Sequence, residues 1–135
     1  MLRDDRQTAL NGAIEACLHA AHVHDDGAEL IGDDPAGLRH LAARRRRDAK
    51  TLVGHLRRLG DLPKEPDPEY EMAADFVSHI QAALSDEERG HVLARSRQAE
   101  EAVAEALRAV LNEDVASDCR TDVEQILSAV TRCLP

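Results

Sequence analysis

Four apolar stripes with helical spacing, separated by Gly, Pro and capping signals, constrain this chain more than any other feature of it. Leu10, Ile14, Cys17, Ala21, Ala28 and Ile31 recur at steps of three and four, and His24 fills the gap in the series. Leu38, Leu41, Ala49, Leu52, Leu56 and Leu59 form a second stripe, and Val92, Ala99, Val103, Leu107 and Val110 a third. Val115, Cys119, Val123, Ile126, Val130 and Cys133 form the fourth. Steps of three and four place residues on one helix face, whereas no segment alternates with the period of two that a strand requires.

The stops between the stripes set helix limits. Gly32-Asp33-Asp34-Pro35 reads as a helix end followed by a capping aspartate and a first-turn proline. Gly60-Asp61-Leu62-Pro63 and Pro66-Asp67-Pro68 form a second break, and Ser85 with Glu88 has the spacing of a capping box. Helices are therefore expected over 5–31, 35–59, 69–84, 86–111 and 116–134. Alternating steps of three and four suit helices crossing at about 20° in a four-helix bundle. The short turn near residue 33 makes the first two helices antiparallel neighbours. The span 60–85 holds its own short helix, roughly 24 Å long, enough to travel back along the bundle. One long crossover is the ferritin-like arrangement. The fold class is thus all-α, a single ferritin-like domain over residues 1–135 with an extra helix in the crossover.

The sequence resembles a bacterial family of ferritin-like four-helix bundles of unknown function, over about Leu10 to Leu127. LNGAIEACLHA, DDPAGLRHLAARRRRDAKTLVGHLRRLG, DFVSHIQAALSDEERGHVL and AEEAVAEALRAVL carry the likeness through their order and spacing. The resemblance implies inward-facing acids on the first two helices, an aromatic in the first and a tyrosine in the third long helix. At these places stand Arg44 for a helix-two acid, His24 for the aromatic and Leu107 for the tyrosine, while Glu100 keeps a family acid. The apolar face Ala73, Phe76, Val77, Ile80, Ala83 and Leu84 of the crossover helix is expected to pack on the outside of the bundle; the resemblance also implies side-by-side pairing into a homodimer, to which that face would contribute.

A di-iron bundle requires Glu-x-x-His motifs on two helices, and the expectation is that the chain holds neither that motif nor Glu-x-x-x-His. Arg45 and Asp48 occupy the helix-two interior where a ligand pair would sit, and a fixed cation there repels a metal. Counting from the turn at Asp33 and from Asp86 puts His24, Arg45, Asp48, Ser96 and Glu100 at one depth. These five are expected to form a polar core layer, with Arg45 paired to Asp48 or Glu100. His24, Asp48 and Glu100 are the candidate metal ligands if the layer is instead a repurposed site. His19 and His22, three apart in HAAHVHDD, make a weak surface pair for a divalent ion.

Composition excludes several function classes. The chain carries 17 basic and 26 acidic residues, a formal net charge of −9, which opposes binding to phosphate backbones. Tyr70 and Phe76 are its only Phe, Tyr or Trp residues, too few for base-stacking platforms, sugar stacking or aromatic cages. Arg44–Arg47 point in four directions along a helix and are expected to pair with nearby acids. Phosphate-loop, dinucleotide and nucleophile-elbow motifs are missing. No apolar run is long enough to span a bilayer and the N-terminus has no secretory pattern. Three cysteines without a CxxC spacing read as reduced packing thiols, with Cys133 able to form an intermolecular disulfide in air. The expectation is a cytoplasmic protein with no cofactor, no nucleic-acid or membrane partner, and a homodimeric or other protein partner. Its favoured role is non-enzymatic, as a stress-related or scaffolding module. The alternative is a metalloprotein holding iron, manganese or zinc at an atypical His/Asp/Glu site.

Overall fold

A computed structural model describes residues 3–34, 36–63 and 84–134. The described residues form four α-helices and no strand: α1 Asp5–Ile31, α2 Leu38–Arg58, α3 Asp86–Leu111 and α4 Ser117–Cys133. The helix expected over 69–84 and its apolar face fall, apart from Leu84, outside the described residues.

Each helix end has a local cause. At the start of α1, the Asp4 carboxylate accepts from the Gln7 amide at 2.8 Å while the Gln7 side chain accepts from the Asp4 amide at 2.9 Å. This reciprocal box satisfies two amides that have no partner inside the helix. Gly32 ends α1 with φ +87 and donates back to the Ala28 carbonyl. Ser85 and Glu88 open α3 with the expected capping box. The start of α2 differs from expectation, since the helix begins at Leu38 rather than at residue 35. Asp34 adopts φ +45, and its carboxylate accepts from the amides of Leu38 at 2.6 Å and Arg39 at 3.1 Å. The aspartate thus caps from four residues upstream, with Gly37, φ +67, completing the turn. At the last junction Arg120 donates to the carbonyls of Leu111 and Glu113, which the end of α3 leaves without helical partners.

The helices enclose one main apolar core. Leu10, Ile14 and Cys17 of α1 meet Leu52 and Leu56 of α2, Val103, Leu107 and Val110 of α3, and Val123 and Val130 of α4. A smaller cluster of Ala28, Ile31 and Leu38 closes the other end. Gly27 lets the helices approach there: a Cβ on it would stand 3.0 Å from Leu38 Cδ1 and 3.1 Å from Val92 Cγ1. Every member of the first stripe is buried, His24 included.

Ion pairs and hydrogen bonds between helix ends fix the directions. Arg3 pairs with Asp61 and Gln7 donates to the Leu59 carbonyl, so α1 begins where α2 ends. Arg89 lies 3.7 Å from Asp33, so α3 begins where α1 ends. Arg58 pairs with Asp118, placing the start of α4 beside the end of α2. Helices α1 and α4 therefore run one way and α2 and α3 the other. α1 packs against α2 and α3, and α4 packs on α3 and meets α2 less extensively. Around the bundle the order is α1, α2, α4, α3, which leaves α2 and α3 parallel on a diagonal. The ends of the connection between them, at Pro63 and Leu84, lie at opposite ends of the bundle.

Candidate functional site

The sequence positions that carry chemistry converge at one level of the interior. Arg45 lies on the buried stripe of α2, between Ala42 and Ala49, and its side chain is 0% exposed. From there its guanidinium crosses the diagonal to α3. Nε donates to Glu100 Oε2 at 2.8 Å and Nη2 donates to Glu100 Oε1 at 2.7 Å. This two-pronged geometry suits the planar guanidinium and gives its strongest pairing with a carboxylate. Nη1 donates to Asp48 Oδ2 at 2.6 Å, one helical turn along α2. From α1, His24 Nε2 lies 3.1 Å from Glu100 Oε2. A carboxylate can only accept, so Nε2 carries the hydrogen.

Four of the five residues expected in a polar layer thus form one connected network spanning α1, α2 and α3. Ser96 is the exception. It is buried, but its Oγ has no hydrogen-bond partner among the described residues and stands outside the network. His24 Nδ1 is the other buried polar atom in that condition. Arg44, which the resemblance sets in place of an inward acid, lies on the outer side of α2, beside His40 and Arg47. The inward cation is Arg45.

Electrostatics follow from burial and contact. Burial opposes the charge on Glu100, but the hydrogen bonds from His24 and Arg45 outweigh it and hold the carboxyl down at about 2. Burial alone would lower Arg45, and the contacts with Glu100 and Asp48 reverse this and raise it. Both ends of the pair are therefore held in their charged forms. For the metal candidates the consequence is direct. Both oxygens of Glu100 are engaged by Arg45, and a divalent ion between Glu100, His24 and Asp48 would have to displace the guanidinium. Among the described residues no group of three or more His, Cys, Asp and Glu side chains is placed to hold a metal ion.

The surface pair fares similarly. His19 is exposed and His22 half-buried. The desolvation His19 does suffer, and then the charges of His22 and Arg95, lower its pKa. The positive charge of Arg95 that lowers His19 also opposes a divalent ion there. One Glu-x-x-His spacing is present after all, at Glu88–His91, with Glu-x-x-x-His at Glu15–His19 and Glu87–His91. All lie on exposed turns, and His91 Nε2 is 3.9 Å from Glu87 Oε1. None of them faces the bundle interior.

Family models, curated proteins and solved structures offer no match to the chain. No described helix is long and apolar enough to cross a membrane.

A second polar contact joins α2 to α4 at the other end of the core. His55 Nε2 lies 2.7 Å from Asp122 Oδ2, and Arg58 pairs with Asp118. The signal was present as His55/Arg58, three apart, facing Asp118/Asp122, four apart. Using it requires knowing which helix ends meet. His55, Arg58 and Asp118 border a cavity of about 50 Å³, lined also by Leu10, Leu59, Val115 and Cys119. That volume suits a water or two, well short of the roughly 300 Å³ of a substrate pocket.

The thiols divide by burial. Burial pushes the Cys17 thiol up to about 12 and also raises Cys119, whereas Cys133, expected on an apolar stripe as a packing residue, is exposed. In the folded protein a thiol-reactive reagent is therefore expected to label Cys133 alone, and all three cysteines only after denaturation. Labelling of native Cys133→Ser at the wild-type rate would contradict this.

Proposed function

We propose that the protein is a non-enzymatic helical bundle of ferritin-like topology, in which an ion network stands where related bundles hold a metal. The observation that carries this reading is the two-pronged contact of buried Arg45 with Glu100, shared with His24. A guanidinium supplies a fixed positive charge at the centre of three helices, the electrostatic part a metal would play, without redox chemistry or open coordination positions. The parallel diagonal pair α2 and α3 supports the ferritin-like assignment, because a bundle with one long crossover has that arrangement. As a stress-related or scaffolding module, the protein would act as a homodimer or with another protein.

Metal analysis of protein purified without an affinity tag tests this reading. Iron, manganese and zinc are each expected far below one ion per chain, unchanged by His24→Ala or Glu100→Gln. A stoichiometric metal that disappears in those variants would establish the metalloprotein reading instead.

A further inference from the structure

Charge is segregated in this protein to a degree its net value conceals. Helix α2 carries eight basic residues against one carboxylate, Asp48, while the rest of the chain carries nine against twenty-five. On the side of α2 facing α1 the cations are neutralised, with Arg39 near Glu29 and Arg46 paired with Asp25. Arg45 is consumed by the interior. The outer side is different. Arg44, Arg47, Lys50 and Arg57 form no ion pair among the described residues, and His40 joins Arg44 and Arg47 around an open concavity of about 430 Å³. Asp48 borders that concavity, but its Oδ2 is already engaged by Arg45. On α3, by contrast, the exposed cations Arg97 and Arg108 stand four and three residues from Glu101 and Glu105. Like charges three or four apart destabilise a helix, so an uncompensated run is a standing cost that an acidic partner would relieve.

We propose that the outer face of α2 is a docking surface for a carboxylate-rich segment of a partner protein. From Arg44 to Arg57 the face runs about 20 Å along the helix, the length of roughly six extended residues. Arginine favours carboxylates through paired donors, and local fields act within a Debye length of about 8–10 Å. A short acidic segment therefore meets mostly cations, with Asp48, held by Arg45, the one carboxylate beside them. A nucleic-acid duplex, charged every 1.7 Å or so, would run past the patch onto the acidic remainder of the protein. A lipid surface needs apolar side chains between the cations, and here the intervening outer positions are Ala43, Thr51 and Gly54.

Binding of a fluorescent polyglutamate peptide, about ten residues long to cover the patch, to the full chain tests the proposal by anisotropy. Affinity is expected to fall at least about tenfold between low and physiological salt. It should fall about tenfold again in the triple variant Arg44→Gln, Arg47→Gln, Lys50→Gln. The charge-matched variant Arg97→Gln, Arg108→Gln, Arg132→Gln is expected to bind as the wild type does. Helical content and melting temperature check that both variants fold. Equal weakening by the two triple variants would reduce the effect to net charge and overturn the proposal. So would absence of salt-sensitive binding, or tighter binding of duplex DNA or anionic vesicles than of the peptide. Binding that appears only after Glu65, Asp67, Glu69 and Glu71 are replaced by amides would make the chain's own acids the occupant and equally overturn it.

Discussion

Replacing Arg45 by methionine is expected to destabilise the protein by about 3–5 kcal/mol, since it breaks a buried pair by removing one partner. In a chain of this length that corresponds to a fall in melting temperature of roughly 10–15 °C. The cause lies in what the substitution leaves behind. Glu100 is 3% exposed and accepts three hydrogen bonds, two from Arg45 and one from His24. Methionine fills much of the volume but supplies no donor, so an ionised carboxylate is stranded in the core. Lysine at the same position keeps the charge but cannot engage Asp48 and both oxygens of Glu100 at once, so Arg45→Lys should fall between. The double variant Arg45→Met, Glu100→Met should recover most of the loss, because replacing a whole buried pair by apolar residues is close to neutral. Thermal and urea unfolding of the three variants checks the series. An unchanged melting temperature in Arg45→Met would mean that the network contributes nothing to stability.

Much of this layer is legible in the sequence. His24 interrupts an apolar stripe at a position helical spacing requires to be inward, and depth counting from two turns placed Glu100 and Arg45 beside it. Helix limits followed wherever a stop acts locally: Gly32 ends α1 and Ser85 opens α3 at the expected places. Local reading failed where a distant residue or an unusual conformation decides. The start of α2 depends on Asp34 entering the left-handed region so that its carboxylate reaches Leu38 and Arg39. Among four consecutive arginines, the family likeness points to Arg44 as the inward residue. The series Leu38, Ala42, Ala49, Leu52 and Leu56 selects Arg45, because successive residues turn by 100° and only one can follow the stripe. Ser96 shows the limit of depth counting, which fixes a residue's level along the axis but not which neighbour its hydroxyl meets. The His55–Asp122 contact lay beyond reach for the same reason, as it depends on which helix ends adjoin.

Acid is expected to separate the roles of Glu100 and Arg45 by the sign of a slope. In the wild type the folded-state value of Glu100 is held at about 2, against an ordinary 4.5. A depressed carboxyl contributes stability that is present above the unfolded value and is lost as pH falls through the folded one. The wild type should therefore lose about 3 kcal/mol from this group between pH 4.5 and 2. Asp4, Asp61 and Asp118 are also lowered, the first and last chiefly by backbone amides and Asp61 chiefly by Arg3. They add a surface contribution of the same sign, so the wild-type slope alone does not isolate Glu100. Arg45→Met does. Without the guanidinium only His24 still opposes burial at Glu100, and the neutral acid is expected to be favoured, so the folded variant takes up a proton more readily than its unfolded chain. Its Glu100 contribution then rises as pH falls, against the surface carboxylates that both proteins share. The stability gap between wild type and Arg45→Met, about 3–5 kcal/mol at pH 7, should narrow steadily below pH 5 and nearly close by pH 3. Urea midpoints at four or five pH values measure it. Parallel curves for the two proteins would show that Glu100 is not the group Arg45 holds in its charged form.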